Sequence, residues 1–180
     1  TIGAEVDDAF IAELKKQIIN PEVIKEVADD IKIVYTPFNG TGNVPARRIL
    51  KEIGFKNVYV VPEQEMPDPK FTTLDYPNPE DPKAFTLALK LAKEVQADIV
   101  LATDPDADRL GIYAYDTKSG EYVPFTGNMS GMLIAEYILS QRKANGTMPA
   151  NPALVKTIVT TNMADVITKA YDVKLIEVLT

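Results

Sequence analysis

Residues 97–115 read A-D-I-V-L-A-T-D-P-D-A-D-R-L-G-I-Y-A-Y, and the reading of the whole chain turns on them. The apolar run Ile99, Val100, Leu101, Ala102 has the composition of a buried strand. It ends in Asp104, Pro105, Asp106, Ala107, Asp108 and Arg109, and a second β-like run over 110–115 follows at once. Three carboxylates therefore sit at a tip between two strands. In a roughly extended loop, alternate side chains point the same way, so Asp104, Asp106 and Asp108 are expected to converge while Pro105 and Ala107 face elsewhere. Such a cluster repels itself unless a cation sits inside it. An oxygen-only donor set favours a hard ion, and Mg2+ is usually held by a few carboxylates, its other positions going to water or to a substrate phosphate. Arg109 adds a fixed cation suited to a phosphate.

Other readings of D-x-D-x-D stand beside this one. A solvated turn in an acidic protein is one. An EF-hand loop would want Gly and Glu at its sixth and twelfth positions, where this chain has Arg109 and Tyr115. An aspartyl-nucleophile phosphatase also places D-x-D after a strand, but there the motif opens the domain, and here it lies mid-chain.

Outward from the acidic stretch, Asp81-Pro82 is expected to cap a helix over 83–95 whose buried side is Phe85, Leu87, Ala88, Leu91 and Ala92. A strand reached through a helix predicts a parallel sheet, in which ligands gather beyond the carboxyl ends of the strands. Residues 31–35 and 57–61 read as two further strands. Between them, T-P-F-N-G-T-G-N at 36–43 is a glycine-rich turn, expected to serve as a tight strand-to-helix connection, with anion contact as the alternative. A helix over 45–53 follows, stopped by Gly54, with Arg47 and Arg48 on its solvated side. The N-terminal region predicts a helix over 7–19 that buries Phe10, Ile11, Leu14 and Ile18, then a short one opened by Pro21 and ending near 29–30. Residues 62–82 form a long connection crowded with Pro, Asp, Glu and Asn, expected to wrap the domain edge.

Beyond the acidic loop, D-T-K-S-G at 116–120 is a hairpin turn into a strand over 121–125. Gly127-Asn128 opens a helix with Met132, Leu133, Ala135, Ile138 and Leu139 on its apolar side. A strand over 154–160, a helix over 162–171 and a strand over 173–179 follow. The expected fold is α/β: a three-layer α/β/α unit with a mixed, mostly parallel sheet, then an incomplete second α/β unit. The division falls at residues 1–126 and 127–180.

Composition removes many alternatives. The chain has no His and no Cys, which excludes Ser-His-Asp and Cys-His catalysis, the usual zinc sites, disulfides and thiol nucleophiles. A net charge of −7 argues against nucleic acid or an anionic membrane as partner. No stretch is apolar enough to span a bilayer, and no signal-peptide pattern opens the sequence, so a cytoplasmic setting is expected.

Three strings in order carry a resemblance. D-P-D-A-D-R-L-G-I at 104–112 resembles the metal-binding loop of the α-D-phosphohexomutases, the phosphoglucomutase and phosphomannomutase family. K-I-V-Y-T-P-F-N-G-T-G at 32–42 is similar to the opening of that family's second domain, and T-G-N-M-S-G-M-L-I at 126–134 to the entry to its third. The resemblance implies a metal-binding second domain over 1–126 and the N-terminal part of a third over 127–180. It implies Mg2+ on Asp104, Asp106 and Asp108, Arg109 positioning a phosphoryl group, and a hexose phosphate substrate moved between its 1- and 6-positions through a phosphoserine and a bisphosphate. The only serines, Ser119, Ser130 and Ser140, lie outside any Ser-His-Asn-Pro string. The catalytic serine of the first domain, the remainder of the third and the fourth domain are thus expected outside this chain, which should be inactive alone. A non-catalytic sugar-phosphate or metal-binding module is the alternative, and the choice among glucose, mannose and pentose phosphates stays open.

Overall fold

The computed structural model describes residues 2–180. The chain forms two units, Thr1–Phe125 and Thr126–Thr180. The first holds a five-stranded sheet in the order β2-β1-β3-β4-β5, with β1 Lys32–Thr36, β2 Asn57–Val60, β3 Ile99–Thr103, β4 Leu110–Asp116 and β5 Glu121–Phe125. β1 pairs parallel with β2 and β3, while β4 pairs antiparallel with both β3 and β5. Only β4 therefore runs against the other strands, as expected of a mixed sheet entered by β-α-β crossovers and closed by a hairpin.

The helices are α1 Ala4–Lys15, α2 Pro21–Val27, α3 Asn43–Glu52, α4 Pro62–Glu65 and α5 Thr86–Val95. β2 lies on one side of β1 and β3 on the other, so right-handed crossovers put α3 and α5 on opposite faces. On the α5 face, Val34, Val100 and Ala102 pack with Phe85, Ala88 and Ala92, all buried. Phe85 meets Phe38 edge-on at 5.7 Å and Tyr113 at 4.6 Å between ring centroids. Tyr122 reaches beneath α5, its hydroxyl donating toward the carbonyls of Ala92 at 2.9 Å and Ala97 at 2.6 Å. Gln96, the residue that ends α5, is left-handed at φ 56°.

Several boundaries differ from expectation. α1 begins at Ala4 and ends at Lys15, and of its expected apolar face Ile11 is buried whereas Phe10 is 54% exposed. α3 begins at Asn43, because Pro45 is tolerated within a first turn whose N–H groups have no helical partner. Its arginines are tied down rather than merely solvated. Arg48 bonds Asp8 of α1 and Glu52, and Arg47 pairs with Glu65 and donates to Asn43. Asp81 caps as expected, accepting from the N–H of Lys83 at 2.9 Å, but a 3-10 turn over Pro82–Phe85 precedes the α-helix. The long connection opens with α4 and does more than wrap an edge, as its contacts with the acidic loop show below.

The second unit contains α6 Gly127–Ala144, β6 Ala153–Thr157, α7 Met163–Ala170 and β7 Lys174–Val178, with β6 and β7 parallel. Its separate core is Met132, Leu139, Ala164, Ile167 and Val173. Leu133, expected inside, is 57% exposed. β6 stops at Thr157 because the chain turns there, Thr160 N–H donating to the Thr157 carbonyl at 3.0 Å. Among the described residues no helix is long and apolar enough to cross a membrane.

Candidate metal centre

The carboxyl ends of the parallel strands β1, β2 and β3 lead into three loops that bond to one another. The loop after β1 is strained: Phe38 and Asn39 are both left-handed, at φ 45° and 59°, and a bulky aromatic residue adopts that conformation only where its surroundings over-determine it. The fully buried Phe38 ring supplies that constraint. Hydrogen bonds to α4 add to it. Asn39 N–H donates to the Gln64 carbonyl at 2.9 Å, Asn39 Nδ2 donates to the Met66 carbonyl at 2.7 Å, and Thr36 Oγ1 meets buried Gln64 Oε1 at 2.7 Å. On its other side this loop lies against the acidic one. Thr41 donates to the Pro105 carbonyl through its N–H at 2.8 Å and through Oγ1 at 3.1 Å.

The acidic loop is a turn, not an extended segment. Ala107 N–H donates to the Asp104 carbonyl at 3.0 Å, Pro105 occupies the turn position suited to its fixed φ, and Ala107 is left-handed at φ 61°. The carboxylates converge nonetheless: one oxygen from each of Asp104, Asp106 and Asp108 lies within 4.8 Å of the other two. Turn geometry brings them together where strand alternation was the expected cause.

Asp104 is 1% exposed, while Asp106 and Asp108 face solvent. Arg109 holds Asp104 twice, its backbone N–H reaching Oδ1 at 3.0 Å and its Nε reaching Oδ2 at 2.6 Å. Burial would raise the Asp104 carboxyl, but the bonds from the Arg109 guanidinium and N–H, joined by one from Asp108, outweigh it and hold the pKa below the usual range. Asp108 shifts upward. Its hydrogen bond with Asp104 is the largest cause, followed by the negative charges of Asp106 and Asp104.

Sequence reasoning missed two participants. Asn78, in the long connection, accepts from Arg109 Nη1 at 3.0 Å and so fixes the guanidinium at a second nitrogen, beside the Nε held by Asp104. Thr41 stands in the sequence only as one residue of a glycine-rich turn. Neither carries a local sequence signal, since each acts across a large separation in the chain. The donor set itself suits a hard divalent cation.

Comparison with known proteins gives a consistent picture. Residues 8–120 match the family model described as phosphoglucomutase/phosphomannomutase, alpha/beta/alpha domain II. The chain is 35% identical over 160 residues to a protein named probable phosphomannomutase from Haemophilus influenzae, covering 86% of this chain and 32% of that protein. It is 38% identical over 142 residues to the human phosphopentomutase, covering 78% of this chain and 23% of that one. The crystal structure of a putative phosphomannomutase from Thermus thermophilus superposes with a TM-score of 0.71 at 19% identity, over 97% of this chain and 36% of that one, which is a likeness of fold. The chain thus spans about a quarter to a third of the length of these relatives. A family model that covers most of the first unit, and relatives aligned across most of the chain, place this protein in the phosphoglucomutase/phosphomannomutase family.

Proposed function

We propose that this chain is the metal-binding portion of a phosphohexomutase that interconverts hexose 1-phosphate and hexose 6-phosphate through a phosphoserine and a bisphosphate. The supporting observation is the convergence of Asp104, Asp106 and Asp108 beside Arg109, at the carboxyl ends of parallel strands, in a chain of this family. The three aspartates hold Mg2+. When bound, that ion stabilises negative charge developing on the serine oxygen and on the phosphoryl group in flight. Arg109 keeps Nε on Asp104 and Nη1 on Asn78, so its guanidinium stays oriented while its half-exposed face is turned to a phosphoryl oxygen. Asp104, buried and ionised, anchors both the cation and the arginine.

The first unit is the second domain of such an enzyme, and the second unit is the N-terminal part of its third. In the latter, Val155, Val159 and Leu179 are 62%, 69% and 80% exposed on and beside a two-stranded sheet, the apolar surface that further strands of one domain cover. The serine nucleophile, the sugar-selecting part of the third domain and the phosphate-binding fourth domain come from elsewhere in the protein, so this chain alone should not turn over. A cytoplasmic setting suits an enzyme acting on sugar phosphates.

The test is mutase activity of the full-length protein with Mg2+ on glucose 1-phosphate, mannose 1-phosphate and a pentose 1-phosphate, beside its Asp106→Asn variant. Turnover on at least one sugar is expected, falling by about a hundred- to a thousandfold in the variant, the usual effect of removing one electrostatic stabiliser. Undiminished turnover by Asp106→Asn would refute the assignment of the metal centre.

A further inference from the structure

Asp106 is the least anchored of the three carboxylates. Asp104 is held by Arg109 through its N–H and Nε, and Asp108 lies 3.7 Å from the same Nε, whereas Asp106 accepts no hydrogen bond from any described residue and faces solvent. Its position therefore depends on its backbone, and that backbone begins at the peptide whose carbonyl belongs to Pro105. The pyrrolidine ring fixes φ of Pro105; the remaining freedom is ψ, which swings this same carbonyl.

The loop after β1 removes that freedom. The N–H and Oγ1 of Thr41 both donate to the Pro105 oxygen, at 2.8 Å and 3.1 Å. Beneath them Gly40 lies so close that a Cβ there would fall 2.4 Å from Pro105 Cα and 2.6 Å from its oxygen. The contact needs a residue without a side chain at 40 and a donor at 41. The supporting loop is rigid for reasons of its own, with Phe38 and Asn39 both left-handed, the Phe38 ring fully buried and the Asn39 N–H bonded to Gln64 of α4. Thr41 is exposed and fills no core position, so packing does not account for its hydroxyl.

We propose that Thr41 is a positioning residue for the metal centre: its hydroxyl, acting through the Pro105 carbonyl, sets the orientation of Asp106 before a divalent cation arrives. The inference rests on the metal reading given above and deepens it. A preset carboxylate binds without the cost of ordering an exposed loop tip, so loss of the hydroxyl should appear as weaker cation binding rather than as unfolding.

Mn2+, read by electron paramagnetic resonance of the free ion, is the probe, titrated into the full-length protein. Thr41→Val keeps the shape and the backbone donor but loses the hydroxyl; it is expected to raise the Mn2+ dissociation constant about three- to tenfold, of the order of one net hydrogen bond, with the cooperative unfolding transition retained. Thr41→Ser should restore binding to within about twofold, and Asp106→Asn serves as the reference for a lost ligand. Unchanged Mn2+ binding in Thr41→Val, with binding lost in Asp106→Asn, would overturn the positioning role and leave the metal reading intact. Equal weakening in Thr41→Val and Thr41→Ser would overturn the role of the hydroxyl. Absence of Mn2+ binding in the unmutated protein would overturn the metal reading and this inference with it.

Discussion

At Gly111 a Cβ would fall 2.6 Å from the Pro79 carbonyl and 2.7 Å from the Phe85 ring, because the long connection crosses β4 there. Gly111→Ala must displace backbone, and overpacking of this kind costs about 1–3 kcal/mol. Its neighbour Phe85, buried between Phe38 and Tyr113, should lose about 3–5 kcal/mol on change to Ala. Urea denaturation of both variants checks these figures, with the larger loss expected for Phe85→Ala. Pro79 follows Asn78, the residue that orients Arg109. Gly111→Ala is therefore expected to impair the site as well as the fold, whereas Phe85→Ala acts first on the core. Phe85 was legible in the sequence as a core residue from helical spacing. The need for glycine at 111 was not, because it comes from a segment that reaches it only through the tertiary fold.

The long connection between α4 and α5 shows how an irregular element is held. Asp68 accepts from Lys70 N–H at 2.9 Å, Thr72 N–H at 2.8 Å and Thr72 Oγ1 at 2.7 Å. These bonds, with the Thr72 hydroxyl foremost, lower its pKa. A depressed folded pKa adds stability that is fully present above the ordinary aspartate value of about 3.9 and is lost as pH falls through the folded one. The amides of Lys70 and Thr72 should thus lose protection from hydrogen exchange below about pH 4. At neutral pH, Asp68→Asn should mimic protonation and speed tryptic cleavage after Lys70; an unchanged cleavage rate would show that the loop is held by other contacts. The proline- and acid-rich composition announced a loop. That its far end delivers Asn78 to Arg109 depends on the crossing over Gly111, which no local pattern records.

At the scale of the whole molecule, the chain divides at Phe125–Thr126 into units with separate cores. The first has five paired strands and helices on both faces, whereas the second rests on a two-stranded sheet that leaves Val155, Val159 and Leu179 exposed on and beside it and has a core of few residues. A chain ending at Phe125 is therefore expected to keep a cooperative urea transition and its Mn2+ affinity, while residues 126–180 alone should show none. Circular dichroism of the two pieces, with Mn2+ titration of the first, checks this. By itself the sequence determined the α/β class, the order of nearly every element and the family, because period-2 and period-3.6 patterns, turn residues and the D-P-D-A-D-R string are local signals that survive without a structure. It also named the aspartates that converge, though through an extended geometry that the loop does not have. Only the tertiary structure decided how they converge, through the turn closed by Ala107, and what holds them: Thr41 on Pro105, Asn78 on Arg109, and Gly40 and Gly111 at contacts that admit no side chain. Those are meetings between residues far apart in the chain, fixed by how the strands stack and the loops cross, and a one-dimensional pattern carries no term for them.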